Sequence, residues 1–340
     1  MSHAQLQHAL DRAVADGGGP GVLAELEIDG APVWRGTAGV ADLTSRRARR
    51  LDEHFRIGSF TKAFAGTVVL LVAAEGGLGL DDTVARWLPG VVEENLGGDS
   101  TRITIRQLLN HTSGLPDAFP GQAPPAPEEP GKRFIYSKVN YTLAGMIVEQ
   151  ATGVPIAGEI ERRVARPLGL AGTYLPGADN TLREPHARHY SKADESGRPA
   201  EVHDVTGADL SWAGAAGGMV STAADLRRFL GELLRGRLLP PEQQAEMFTT
   251  VPTDGAGWVP DTAYGLGVYC QRLPCGVTLW GGGGYIQGSM TYAMGDRDGG
   301  RILVSNLNGD WNDFLATFTD LYGTQFGGSG ARGPGAADPS

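Results

Sequence analysis

FRIGSFTKAF, residues 55–64, is the stretch on which the reading of this chain turns. Within it, Gly58-Ser59-Phe60-Thr61-Lys62 sets a serine three residues ahead of a lysine, at the head of SFTKAFAGTVVLLVAAE, residues 59–75. A run apolar on every side is a buried helix, opened here by a serine cap and closed by Gly76-Gly77. Positions i and i+3 share a helix face, so the Lys62 ammonium reaches the Ser59 hydroxyl. Burial disfavours the charged form of a lysine, and a neutral amine beside a serine is a workable base for activating a nucleophile. The Ser59 N–H, free at a helix N-terminus, suits a developing oxyanion. The plain alternative is a capping serine beside a lysine that snorkels to water.

Working outward, residues 21–28 and 32–40 flank Asp29-Gly30-Ala31 and read as a hairpin. Helices are expected at 104–110, 139–151, 155–165 and 222–235, separated by Pro- and Gly-rich loops, the longest being 116–132. Short apolar stretches at 264–271, 276–280, 286–294 and 301–307 read as an antiparallel meander, with the glycine run 281–284 as one of its dividers. A helix at 311–324 and a disordered tail over 327–340 follow. Strands at both ends around a helical middle predict an α/β fold: an antiparallel sheet flanked by helices, with a large, mainly helical inserted domain. On this reading residues 1–66 and 263–326 form the α/β domain and 67–262 the helical one.

The 340 residues carry 29 Lys+Arg against 39 Asp+Glu, a net charge of -10. No basic field attracts phosphate, which argues against nucleic-acid or membrane-surface binding. Val68 to Ala74, the longest apolar stretch, is too short to span a bilayer. The N-terminal stretch lacks the features of a signal peptide, so the expected location is cytoplasmic. Cys270 and Cys275 read as two unbonded core thiols, with a bridge across a hairpin as the alternative. His186-Ala187-Arg188-His189 has no partnering carboxylate spacing and reads as a polar loop; neither metal nor cofactor is expected.

Two further stretches carry chemistry. Tyr136-Ser137-Lys138-Val139-Asn140-Tyr141 precedes a helix, where a tyrosine is either a satisfied core aromatic or a site residue. Trp280-Gly281-Gly282-Gly283-Gly284-Tyr285 offers backbone N–H donors and close approach, or is simply a hairpin turn.

Taken in order, FRIGSFTKAF, GLGLDDTVARWLPG, ITIRQLLNHTSGLP, FIYSKVNYTLAGMIVEQATG, RPLGLAGTYLP, GGMVSTAADLRRFL, YGLGVY and GGGGYIQGSMTYAM resemble the serine β-lactamase and penicillin-binding-protein superfamily. The resemblance is strongest to its branch of class C β-lactamases, D-alanyl-D-alanine carboxypeptidases and family VIII esterases. It implies that Ser59 is the nucleophile of an acyl-enzyme, Lys62 its proton acceptor or electrostatic partner, and Tyr136 a second acid and base. The backbone N–H groups of Ser59 and Tyr285 would form the oxyanion hole.

Two departures modify the expectation. The second motif of the family usually reads Tyr-x-Asn; here Lys138 takes the asparagine's place, with Asn140 two residues on as a partial substitute. Lys138 either presents a cation to an acidic group or is merely solvated. The third motif usually offers Lys or His, then Thr, Ser or Gly, then Gly; here Gly282, Gly283 and Gly284 fall there, and Trp280-Gly281-Gly282 resembles the Trp-x-Gly of family VIII esterases. With no side chain to meet a substrate carboxylate, recognition of penicillins or D-Ala-D-Ala termini is weakened. Trp212 lines the site or packs in the core, and His111 is structural. The expected activity is transfer of an acyl group from a small-molecule ester or activated amide to water, or to an amine or alcohol, in small-molecule metabolism such as natural-product tailoring. A carboxypeptidase, D-amino-acid peptidase or β-lactamase is the enzymatic alternative. A non-catalytic relative that only binds is the alternative of another class.

Overall fold

The structure, a computed structural model, describes residues 3–117, 125–177, 181–194, 198–311 and 314–327. Apart from Gly327, the tail read as disordered lies outside them, as does part of the loop at 116–132. Helix α1 (His3–Ala15) turns Leu6, Ala9, Leu10 and Ala13 inward, the spacing of a single apolar stripe. Strands β1 (Gly21–Ile28) and β2 (Ala31–Gly39) follow, the chain turning at Asp29 and Gly30, both with positive φ. The middle contains α2 (Thr61–Ala74), α3 (Lys138–Thr152) and α4 (Ala223–Leu234). Then come β3 (Val251–Pro252), β4 (Thr262–Tyr264), β5 (Tyr269–Arg272), β6 (Thr278–Ile286), β7 (Ser289–Gly295), β8 (Arg301–Leu307) and α5 (Phe314–Phe326).

These eight strands form one antiparallel sheet in the order β2-β1-β8-β7-β6-β5-β4-β3. Strand β1 is paired on both sides, with Val22 opposite Leu307 on β8 and Ala38 on β2, so chain ends far apart in sequence share one ladder. Because side chains alternate along a strand, Val22, Ala24 and Leu26 join Leu6, Leu10, Phe318 and Tyr322 of α1 and α5 in one cluster. Leu23 enters a separate cluster built on α2, α3 and α4. Every residue of α2 from Thr61 to Leu70 is buried, so the helix carries Lys62 into the interior with it.

Four local readings need correction. The serine does not cap α2: Ser59 lies in a 3-10 turn, Gly58–Phe60, and the helix proper begins at Thr61. The stretch 264–271 is not one strand. Gly267 has φ +99°, and the chain reverses so that Tyr264 pairs with Tyr269. The glycine run does not divide strands but lies within β6, and the turn falls later, at Gln287-Gly288, where Gly288 has φ +78°. The helix expected at 155–165 also changes character, α-helical over Ile156–Ile160 and π-helical over Glu161–Ala165.

A buried polar chain fixes the segment leading into the serine turn. Glu53 accepts from Arg47 and Arg49 at 2.7 Å each, and Arg49 also donates to Gly21 O and Asn306 Oδ1. Asn306 donates to Ser289 Oγ, whose hydroxyl donates to Arg56 O at 2.7 Å. Arg49, Glu53 and Asn306 are all buried, so this network binds β1, β7 and β8 to the approach to Gly58.

Candidate active site

The Gly58–Phe60 turn and the C-terminal half of β6 meet with no space between them. A Cβ on Gly284 would fall 1.9 Å from Ile57 O and 2.9 Å from Ser59 N, and one on Gly58 would fall 2.9 Å from Tyr285 N. Strand β6 pairs with β5 only as far as Gly281, so from Gly282 onward this edge faces the turn rather than another strand. The glycines thus permit an approach of two backbones that any side chain would block. Gly282 faces Phe60 in the same way, its Cβ position 3.2 Å from that ring, whereas Gly283 points toward Tyr292 and Tyr269. Gly284→Ala is expected to lower kcat at least about 10²-fold by displacing the Ser59 backbone. Steady-state kinetics beside a thermal melt would separate that loss from unfolding.

Two side chains converge on Ser59 Oγ. Lys62 Nζ donates to it at 3.1 Å and the Tyr136 hydroxyl at 2.7 Å. Lys62 Nζ also donates to Ala216 O at 2.5 Å and lies 4.9 Å from the centre of the Tyr136 ring. Burial brings the Lys62 ammonium down to about 7; Asp117 opposes this and Lys138 adds to it. Burial drives the Tyr136 phenol the other way, above its ordinary value, although its hydrogen bond to Ser59 pulls it partly back. Near neutral pH the amine therefore exchanges its proton readily while the phenol keeps its own.

The remaining candidates divide. Asn140 is fully buried: its Oδ1 accepts from Ser113 Oγ at 2.6 Å and its Nδ2 bonds His111 Nδ1 at 3.0 Å. It braces the HTSG turn against α3 and is not directed at a substrate. Lys138 opens α3 and meets an acidic group of its own chain, Asp117, at 3.0 Å. Trp212 is 46% exposed, which removes the core-packing reading, and Lys138 Nζ lies 5.6 Å from its ring centre. Tyr285 has a 55% exposed side chain, and only its backbone is held at the serine turn.

Trp258 and Asp117 give no signal in the sequence, whereas His111 already reads as structural there. Trp258 stacks on Tyr136 with ring centres 4.2 Å apart and planes 21° from parallel. His111, buried and with φ +61°, packs 4.5 Å from the same ring, and its imidazole is held well below its usual value, chiefly by burial and then by Lys62. Asp117 and Lys138 are 21 residues apart, beyond the reach of any helical or strand period. The thiols are unbonded, but only Cys270 is partly buried; Cys275 is exposed, not a core residue. The polar-loop reading of 186–189 fails for His189, which is fully buried. Among the described residues no three His, Cys, Asp or Glu side chains cluster to hold a metal ion, and no helix is long and apolar enough to cross a membrane.

The antiparallel sheet with helices packed against it is the architecture of β-lactamase/transpeptidase-like folds. The chain belongs to the Beta-lactamase family, whose model matches residues 6–321. Among solved structures it is similar to a D-stereospecific amidohydrolase from Streptomyces sp., at 39% identity and TM-score 0.85, covering 96% of this chain and 99% of that one. It is also similar to the D-amino acid amidase from Ochrobactrum anthropi SV3, at 29% identity and TM-score 0.83, covering 95% and 99%. Esterase EstB from Burkholderia gladioli is 31% identical over 196 residues, covering 49% of this chain and 50% of the esterase, so the match spans about half the length of that curated relative.

Proposed function

We propose that the chain is a serine acyl-enzyme hydrolase of small-molecule amides and esters, with Ser59 as nucleophile, Lys62 as general base and Tyr136 as the proton donor to the leaving group. The observation that carries this reading is the double grip on Ser59 Oγ by a buried amine at 3.1 Å and a phenol at 2.7 Å. With Lys62 neutral, the serine O–H donates to Nζ and the oxygen attacks the carbonyl carbon. The N–H groups of Ser59 and Tyr285 take the oxyanion. As the bond to the leaving nitrogen or oxygen breaks, the Tyr136 hydroxyl protonates it, and Lys62 returns the serine's proton to the phenol. Water, or an amine or alcohol, then attacks the acyl-enzyme by the same proton route in reverse.

Amides take precedence over the ester-first expectation because the two amide-hydrolysing neighbours match nearly the whole chain, whereas the esterase matches half of it. Because those neighbours are a D-stereospecific amidohydrolase and a D-amino acid amidase, D-amino-acid derivatives are the first acyl groups to assay. Ester cleavage stays as the second reading, supported by the bare glycines at 282–284, which supply no side chain for the carboxylate of a penicillin or a peptide terminus.

The test is intact-mass analysis after brief exposure to a p-nitrophenyl acyl ester, with and without a primary amine. An acyl adduct on the wild type, absent from Ser59→Ala, supports the reading; faster discharge by amine identifies a transacylase. Absence of any adduct or turnover favours a binding protein. The pH profile gives a second check. Because the active base is the neutral amine, kcat/KM should rise with pH and level off above an apparent pKa near 7. A profile flat through pH 6–8 would remove Lys62 from the role of base.

A further inference from the structure

Lys138 stands where the family resemblance implies an asparagine, and what it does there is visible in its contacts. Asp117 is held twice by this one residue: the Lys138 backbone N–H donates to Oδ1 at 2.7 Å and its Nζ to Oδ2 at 3.0 Å. The segment bearing Asp117 is itself tied down, since the Ser137 hydroxyl donates to Pro116 O at 2.9 Å. Both side chains are about a quarter exposed, so the pair faces solvent. Trp212, half-exposed, lies under the ammonium and extends the same wall with an aromatic face. The wall flanks the reacting groups: Lys138 follows by two residues Tyr136, whose hydroxyl donates to Ser59 Oγ at 2.7 Å, and Trp212 precedes by four residues Ala216, whose carbonyl accepts from Lys62.

Resting on the acyl-transfer reading, we propose that Lys138 and Asp117 are the specificity-determining residues: by neutralising one another beside Ser59 they select acyl groups uncharged next to the scissile carbonyl, N-acylated amino-acid amides and esters, over the free-ammonium forms. A substrate ammonium approaching Asp117 must also approach the Lys138 ammonium, and the attraction of one is offset by the repulsion of the other. A secondary amide meets no such conflict. Its N–H finds an acceptor in the carboxylate and its C=O a donor in the ammonium, with the acyl side chain against Trp212.

The experiment compares kcat/KM for D-phenylalanine p-nitroanilide and its N-acetyl derivative at pH 7.0, where a free α-amine stays largely protonated. The wild type should favour the N-acetyl form about 10-fold or more, the scale on which one charged contact discriminates. Lys138→Asn removes the ammonium facing the Asp117 carboxylate and should narrow or reverse that ratio; Asp117→Asn removes the carboxylate's offsetting charge and should widen it. A wild type that favours the free amine, or a ratio unmoved in both variants, overturns the proposal. Melting curves of each variant exclude unfolding as the cause. Turnover of p-nitrophenyl butyrate by wild type but not Ser59→Ala shows that the acyl-transfer reading stands even where the ratio fails. If neither anilide is turned over, calorimetric binding of the two to Ser59→Ala reads the same preference: tighter binding of the N-acetyl form supports the proposal, and equal or reversed affinity overturns it.

Discussion

Ser59→Ala is expected to lower kcat/KM toward a p-nitrophenyl ester by about four orders of magnitude or more while leaving the melting temperature nearly unchanged. The size follows from the chemistry: without Oγ there is no acyl-enzyme, and only the oxyanion donors and the binding surface remain to help a direct attack by water. The small effect on stability follows from the site. Removing the hydroxyl deletes an acceptor for two groups, but Ser59 caps no helix, and Lys62 keeps its bond to Ala216 O. Stopped-flow detection of p-nitrophenolate would show an acylation burst in the wild type alone. A burst that survives in Ser59→Ala would assign the nucleophile elsewhere.

Lys62→Met should cost about three orders of magnitude in the acylation rate, within the range assigned to a positioned general base, and should remove the limb of the pH profile near 7. The same substitution should raise stability. The folded-state amine titrates near 7, below the ordinary lysine value of 10.5. Above the unfolded value neither state holds the proton, so the buried amine then carries no protonation penalty. As pH falls from there to about 7, the unfolded chain takes up a proton that the folded chain does not, and native stability declines; below 7 the penalty stays constant. Methionine fills the same volume without titrating. The gain in melting temperature over wild type should therefore be larger at pH 7 than at pH 10.5. A variant less stable than wild type at pH 7 would show that the contact with Ala216 O outweighs the desolvation of the amine.

Much of the architecture was legible because its signals are local. The all-apolar run after Lys62, the Asp-Gly turn after Ile28, and the alternating stretches near the C-terminus each follow from a period or a turn residue a few positions wide. The glycine run shows where such signals mislead. Four glycines resemble a turn when only sequence neighbours are considered, yet Gly281–Gly284 lie in a central strand, and Gly284 is there to admit the Ile57–Ser59 backbone more than two hundred residues earlier. Tyr264 to Tyr269 erred the other way: apolar and aromatic residues resembled one strand, while Gly267, forced to φ +99° against the Lys62 carbonyl, reverses it.

What the sequence determined by itself was the family and the fold class, together with a serine and a lysine one helical turn apart at the mouth of a helix too apolar to lie at the surface. The family came from the resemblance of ordered motifs; the serine–lysine pair and the buried helix are properties of spacing and hydropathy. Only the tertiary structure decided what surrounds them. It brought the Tyr136 phenol, 77 residues away, to 2.7 Å from Ser59, stacked Trp258 on that ring, and turned Asn140 inward. It also gave Lys138 its partner in Asp117. The physical reason is that hydrogen bonds, desolvation and ion pairing act over a few ångströms in space, and no spacing along the chain reports which distant residues will be that close.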